Sequence, residues 1–375
     1  AVQVHASDIH IEPDEKVLRI RQRIDGVLHE SILNEVRIAP ALVLRLKLLA
    51  GLDISEKRLP QDGRFNMRVR GHEIDVRMST MPVQHGESVV MRLLDQSAGL
   101  LSLHDTGMPD LLLQRFRRQL RRPHGMIVVT GPTGSGKTTT LYGALSELNQ
   151  PGNKVITVED PVEYRLPRIN QVQVNTKIGL DFSTVLRATL RQDPDILLVG
   201  EMRDQETVEI GLRGAMTGHL VLTTLHTNDA ISSALRLMDM GAPGYLVASA
   251  LRAIVAQRLV RRICHYCHEE HEVEAGEMIW LTNLFGEGVR SQTFHRGRGC
   301  QSCNFTGYAG RIGVFELLEL DQPMMDALRR SDPEGFARAA REHVEYRPLV
   351  AMAFDYASQG ITTIDEVLRL AEVVS

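Results

Sequence analysis

Met126-Ile-Val-Val-Thr130, running into Gly131-Pro-Thr-Gly-Ser-Gly-Lys137-Thr138, decides the fold. A continuous apolar strand leads into a glycine-rich loop and then a helix. In that context the pattern GxxxxGK[ST] is a phosphate-binding loop rather than a chance turn. Its glycines let backbone N–H groups converge on phosphate oxygens at the positive end of the helix. Lys137 is expected to reach the β- and γ-phosphates, and the Thr138 hydroxyl to ligate Mg²⁺. The expected nucleotide-binding set is Gly131, Pro132, Thr133, Gly134, Ser135, Gly136, Lys137, Thr138 and Thr139.

Downstream, Lys154-Val-Ile-Thr-Val158, Asp195-Ile-Leu-Leu-Val199 and His219-Leu-Val-Leu-Thr-Thr224 repeat the strand character of 126–130, with helical segments between them. Such runs predict a mostly parallel sheet covered on both faces, hence an α/β fold. The N-terminal portion has another rhythm. Lys16-Val-Leu-Arg-Ile-Arg-Gln-Arg23 and Glu73-Ile-Asp-Val-Arg-Met78 alternate as half-buried strands do, and Ala39–Gly51 is apolar at helical spacing. The expected organisation is a small α+β domain over 1–97, a linker over 98–109 and an ATPase core over 110–257. A cysteine module over 258–312 and a C-terminal helical region over 313–375 complete it.

Polar groups follow the predicted strands at one end, where open parallel sheets bind ligands. After Ile196–Val199 comes Gly200, where many phosphate-loop enzymes place an aspartate, and Glu201 stands one position later. Glu201 is either the catalytic or metal-facing carboxylate or a surface residue opening a loop. Glu159-Asp-Pro-Val-Glu163 is a second acidic cluster able to position water or metal. His226, beyond another strand end, reads as a γ-phosphate sensor once the other strand ends are counted with it.

Cys264-x-x-Cys267 and Cys300-x-x-Cys303 hold all four cysteines. No secretory signal opens the chain, so the spacing predicts one tetrahedral Zn²⁺ with four thiolates, structural in role. The long interval between the pairs calls for an inserted hairpin or helix. Composition is ordinary for a globular protein of 375 residues, and a net charge of -4 argues against a broad nucleic-acid surface. Arg115-Phe-Arg-Arg-Gln-Leu-Arg-Arg122 carries five arginines, read as a solvated or subunit-facing helix. No apolar run is long enough to span a bilayer. The chain opens without Met and already in strand-like sequence, so an upstream segment is expected to have been removed.

Taken together, these motifs resemble the type II secretion and type IV pilus assembly ATPase family, nearly end to end. Ala6-Ser-Asp-Ile-His-Ile-Glu-Pro13, Arg23-Ile-Asp-Gly-Val27 and Arg58-Leu-Pro-Gln-Asp-Gly-Arg64 are similar to its N-terminal signatures. Thr157-Val-Glu-Asp-Pro-Val-Glu163 resembles its acidic box, and Val199-Gly-Glu-Met-Arg-Asp204 its atypical second nucleotide motif. Thr217-Gly-His-Leu-Val-Leu-Thr-Thr-Leu-His226 resembles its histidine box. The resemblance implies a PAS-like N-terminal domain, a RecA-like core binding ATP or ADP with Mg²⁺, and a homo-hexameric ring. It implies a cytoplasmic motor, peripheral at the inner membrane, that moves a platform protein and thereby adds pilin or pseudopilin subunits. Glu201 then holds Mg²⁺ through water or acts as base, with Glu163 competing for the base role. Arg77 and Arg92 match arginines that reach the nucleotide phosphates, and Arg187, Arg191, Arg203 and Arg236 match arginines at subunit contacts. Members of the family carry a further N-terminal region that docks on membrane partners or binds cyclic di-GMP, expected upstream of residue 1.

Rival readings stay in view. A retraction or DNA-transfer motor shares the core, although retraction motors typically lack the cysteine module. A nucleotide-binding scaffold without turnover is disfavoured by the acids and the histidine. A nucleic-acid translocase is disfavoured by the charge balance and by the lack of interleaved aromatic and basic residues.

Overall fold

The computed structural model describes residues 1–95 and 101–374, so the first residues of the expected linker, 98–100, lie outside the described residues. Two units, Ala1–Gly99 and Leu100–Ser375, divide the chain.

In the first unit, β1 (Asp8–Pro13), β2 (Leu18–Ile24) and β3 (Val27–Leu33) precede helix α1 (Ala39–Leu49). Strands β4 (Gln61–Val69), β5 (His72–Val83) and β6 (Gly86–Asp95) follow it. They form one six-stranded sheet in the order β3-β2-β1-β6-β5-β4, antiparallel at every pairing. Because strand side chains alternate between faces, Ile74, Val76 and Met78 of β5 all point into the core. There they meet Ile11, Leu18, Val89 and Met91 and the Val43 and Leu46 face of α1. Arg77 lies on the opposite face, as the alternation predicts. Lys47 departs from the apolar pattern of α1: it is buried, donates to the Glu56 carbonyl over 2.7 Å and pairs with Glu87. A buried ammonium persists only with such partners.

The second unit begins with α2 (Asp110–Leu120), β7 (Gly125–Thr130), α3 (Lys137–Leu148), β8 (Val155–Glu159) and β9 (Asn170–Gln173). It continues through α4 (Phe182–Thr189), β10 (Ile196–Val199), α5 (Gln205–Met216), β11 (Leu220–Leu225), α6 (Ala230–Asp239), α7 (Gly244–Ala250) and β12 (Leu251–Ile263). Strands β13 (His268–His271) and β14 (Phe294–Gly297) flank α8 (Ala275–Phe285), and β15 (Tyr308–Glu319) leads to α9 (Gln322–Arg329), α10 (Pro333–Glu342), α11 (Leu349–Ser358) and α12 (Ile364–Val374). The seven-stranded sheet has the order β15-β12-β7-β11-β10-β8-β9. All its pairings are parallel except β12 with β15. Every residue of β7, β8, β10 and β11 is buried, the pattern of a sheet covered on both faces.

Local chemistry starts the helices. Asp181, Asp204 and Asp229 each accept an N–H from the first turn of α4, α5 and α6, a cap that contributes about 1 kcal/mol. Strand β12 runs on to Ile263 and β15 starts at Tyr308, so both cross the boundaries expected at 257 and 312. The interval between the cysteine pairs holds the expected insertion, the β13–β14 ribbon with α8 between its strands. Among the described residues, no helix is long and apolar enough to cross a membrane.

Candidate functional site

Register brings the strand ends together. Thr130 pairs with Leu225, and Val199 pairs with both Thr223 and Val158. The loops after β7, β8, β10 and β11 therefore leave the sheet along one edge, carrying 131–136, Asp160–Glu163, Gly200–Asp204 and His226–Asp229.

At that edge the phosphate-loop segment bends sharply at Gly131 (φ 148), where a Cβ would stand 2.5 Å from both the Gln257 carbonyl oxygen and Ser135 Oγ. Only glycine fits so close an approach. Pro132, Thr133, Gly134 and Thr138 are exposed, while Ser135 is buried. Lys137, the first residue of α3, turns back on the loop: its Nζ donates to the Gly131 carbonyl over 2.7 Å and to the Pro132 carbonyl over 3.0 Å. Burial lowers its pKa to about 8; nearby Arg258 acts in the same direction and Glu201 opposes them. A partly dehydrated cation held by neutral carbonyls beside a second cation is poised to take an anion.

Glu201 sits largely covered, paired with Arg203, and its Oε2 lies 3.3 Å from His226 Nε2. Arg203 also lies 4.0 Å from Asp160. Space at Gly200 is tight: a Cβ there would stand 3.2 Å from the Val158 carbonyl oxygen and 3.3 Å from Glu159 Cα. The backbone at Gly200 is pinned there, since the Thr224 hydroxyl donates to its carbonyl over 2.5 Å. The carboxylate of Glu201 stands one residue later.

Glu163 has other surroundings. Its N–H donates to the Tyr142 hydroxyl over 3.3 Å, and that hydroxyl donates to the buried Glu159 carboxylate. The Thr157 hydroxyl donates to the other Glu159 oxygen over 2.5 Å. Tyr142 lies on α3, so the acidic loop is tied to the phosphate-loop helix.

Two further residues at this edge lie in the apolar run of β12. Gln257 is buried; its Nε2 donates to the Ser135 carbonyl over 2.7 Å and its Oε1 accepts from Thr140 Oγ1 over 2.8 Å. Arg258, also buried, donates to the Asn228 carbonyl over 3.0 Å, two residues beyond His226. Their signal in the sequence is polarity interrupting an apolar strand, as Arg92 interrupts Val89-Val-Met-Arg-Leu-Leu94. Of the arginines expected at subunit contacts, Arg187 pairs with Glu206 and Arg191 donates to the Arg187 carbonyl over 2.8 Å.

Arg77 and Arg92 belong to the first unit. An internal ion pair would take the carboxylates nearest in sequence, Asp75 and Asp95. Arg77 does lie 4.0 Å from buried Asp75, but Arg92 Nε takes Asp8 at 3.3 Å. Asp8 is far away in sequence and reaches Arg92 only because β1 is the neighbour of β6.

Cys264, Cys267, Cys300 and Cys303 form one cluster, their sulfurs within 4.8 Å of one another. Cys264–Cys300 and Cys267–Cys303 are 3.9 Å apart, and Cys300–Cys303 3.8 Å. These separations exclude disulfides, whose sulfurs stand about 2.05 Å apart. They match the edge of a tetrahedron with metal–sulfur bonds of about 2.3 Å, which is roughly 3.8 Å. Backbone N–H groups of Gly299, Cys300 and Gly307 point at the Cys267 and Cys303 sulfurs from 3.2 to 3.3 Å, donors that would steady thiolate charge and fix the sulfurs in place. The residues fit Zn²⁺.

A buried parallel sheet whose C-terminal edge carries a phosphate loop, an acid and a histidine defines the class: a P-loop ATPase. The chain belongs to the family described as "Type II/IV secretion system protein", which matches residues 1–369. Type II secretion system ATPase E of Vibrio cholerae is 46% identical over 374 residues, covering 99% of this chain and 73% of that protein. Type II secretion system protein HxcR of Pseudomonas aeruginosa is 46% identical over 370 residues, covering 99% and 75%. Among solved structures, the pilus retraction motor PilT with bound ADP superposes with a TM-score of 0.66 at 26% identity, covering 99% of this chain and 94% of that one.

Proposed function

We propose that this chain is the ATP-hydrolysing body of a homo-hexameric motor that powers pseudopilin or pilin assembly, working on an inner-membrane platform protein from the cytoplasmic side. The observation that carries the reading is the convergence of Lys137, Glu201 and His226 at one sheet edge, each following a different parallel strand. In this reading 110–257 is a RecA-like core and 1–97 a PAS-like domain; 258–312 is a structural zinc module entered by the end of β12 and left by the start of β15, and 313–375, after the rest of β15, is a helical region.

Gly131–Thr139 would cradle the phosphates, with Lys137 supplying its charge to them. Thr138 and, through water, Glu201 offer the hard oxygen donors that suit Mg²⁺; bound there, the ion would neutralise charge on the β- and γ-phosphates. Glu201, or Glu163 in its place, takes the proton of the attacking water. His226, 3.3 Å from Glu201, registers whether the γ-phosphate is present. Arg77 and Arg92 are assigned to the phosphates and Arg187, Arg191, Arg203 and Arg236 to subunit contacts, all on the family resemblance.

The alternative within the class is a retraction or DNA-transfer motor. The four-cysteine cluster and the higher identity to type II secretion relatives favour assembly. Phosphate release by the parent and by Glu201→Gln tests the enzyme. Parent protein without turnover, in the presence of its assembly partners, would leave only a nucleotide-binding scaffold. Co-purification of the chain with membrane partners tests the system it serves.

A further inference from the structure

We propose that Gln257 is a positioning residue for the nucleotide, holding the phosphate loop in its binding geometry from outside the loop. The inference rests on the reading of 131–139 as the phosphate site. Two points of that segment, and Thr140 just after it, meet this one residue. The backbone oxygen of Gln257 occupies the space that a Cβ on Gly131 would need, 2.5 Å away. Its side-chain Nε2 takes the Ser135 carbonyl at 2.7 Å, and its Oε1 takes the Thr140 hydroxyl at 2.8 Å. The loop's start is thereby set against the Gln257 backbone, and its centre and the first turn of α3 against the side-chain amide.

The Ser135 contact has a directional consequence. In a trans peptide the C=O and the following N–H point opposite ways. Drawing the Ser135 oxygen onto Gln257 turns the Gly136 N–H away from β12, leaving it free for an anion. Without the amide, the peptide can rotate and that donor loses its fixed aim. A preorganised donor needs a rigid support, and Gln257 has one. It is 2% exposed, on a strand with neighbours on both sides, β7 and β15. The strand is tied again at the next residue, where Arg258 holds the Asn228 carbonyl at 3.0 Å. The chemistry selects glutamine because the amide both donates and accepts. Glutamate would set a carboxylate oxygen against the Ser135 carbonyl, and methionine would keep the volume but make neither bond.

Equilibrium titration with ADP and steady-state kinetics with ATP test the proposal on Gln257→Met, Thr140→Val, the double variant and Lys137→Ala. A positioning role predicts that Gln257→Met raises Kd for ADP and KM for ATP about tenfold, with kcat at saturation within about twofold of the parent. Thr140→Val removes one of the two side-chain bonds and should raise both by about threefold. The double variant should be no worse than Gln257→Met alone, because both changes undo the same clamp. Parent-like Kd and KM in Gln257→Met, alongside weakened binding in Lys137→Ala, would overturn the proposal while leaving the phosphate-loop reading intact. Parent-like binding in Lys137→Ala would overturn both. Should Gln257→Met fail to fold, Thr140→Val decides alone: parent-like Kd and KM there refute the clamp.

Discussion

Arg77 and Arg92 stand directly opposite each other on the antiparallel strands β5 and β6. Like charges so placed repel, and the row they belong to crosses the sheet. Arg64 is opposite Arg77, Asp8 is opposite Arg92, and Arg23 is opposite Asp8. Two aspartates temper the repulsion: Asp8 lies 3.3 Å from Arg92 and 3.7 Å from Arg23, and Asp75 lies 2.6 Å from Arg64 and 4.0 Å from Arg77. The proposed service of Arg77 and Arg92 to the nucleotide phosphates is open to a direct test. Arg77→Ala and Arg92→Ala should leave the melting temperature unchanged or slightly higher. Each should cut ATP hydrolysis at least about tenfold, a floor beneath the range for an arginine serving phosphoryl transfer. A lower melting temperature with hydrolysis per folded molecule intact would confine both arginines to holding their own sheet.

Glu201 and Glu163 are separable because their surroundings differ. Glu201 faces Arg203 and His226, whereas the Glu163 backbone hangs on Tyr142. Glu201→Gln keeps shape and removes charge, so nucleotide binding should persist while phosphate release falls by about 10² or more, the size of a lost acid–base group. If Glu201→Gln turns over at the parent rate and Glu163→Gln does not, the catalytic carboxylate is Glu163.

Metal content is the next measurement. Elemental analysis should find about one zinc per chain, as a closed four-thiolate site requires; less than about half excludes the site. Cys264 also lies where the module joins the tail: its N–H donates to the Gly307 carbonyl at 2.9 Å, and Ile263 N–H to the Ile361 carbonyl at 2.9 Å. Cys264→Ser or chelation should therefore lower the melting temperature by several degrees or more. Stoichiometric ADP binding should survive in the folded fraction.

The lowered pKa of Lys137 yields a pH prediction with a definite sign. Its folded value is about 8 against an ordinary 10.5. Between these values the unfolded chain binds more protons than the folded one. The destabilising cost of its charge is thus complete below the folded pKa and is relieved as pH rises through the window. Phosphates arriving beside Lys137 push its pKa back up. ADP binding near pH 9 should accordingly take up a proton, read from the dependence of binding enthalpy on buffer ionisation. Lys137→Arg should abolish the uptake, since a guanidinium does not titrate there. An identical uptake in Lys137→Arg would assign the proton to another group.

What the chain could announce by itself was whatever neighbours in sequence make together. The apolar run 126–130 before the glycine-rich loop, the alternation of Ile74, Val76 and Met78, and the two Cys-x-x-Cys pairs are local patterns. Their physics, pleat periodicity and short-range turn geometry, needs no knowledge of the rest of the chain. From them and the other apolar runs came the parallel sheet, which the fold shows, and the expectation of a phosphate loop, of an acid at Glu201 and of four thiol ligands. Other features waited for the fold. Gln257 against Ser135 and Thr140, Tyr142 against Glu159, Asp8 against Arg92 and the buried Lys47 with Glu87 join residues on elements that only strand order and helix packing bring together. A lone polar residue in an apolar strand signals that it needs a partner, because a buried hydrogen-bonding group left unpaired is costly. Which partner it finds depends on which strand lies alongside, and that is a property of the sheet as a whole.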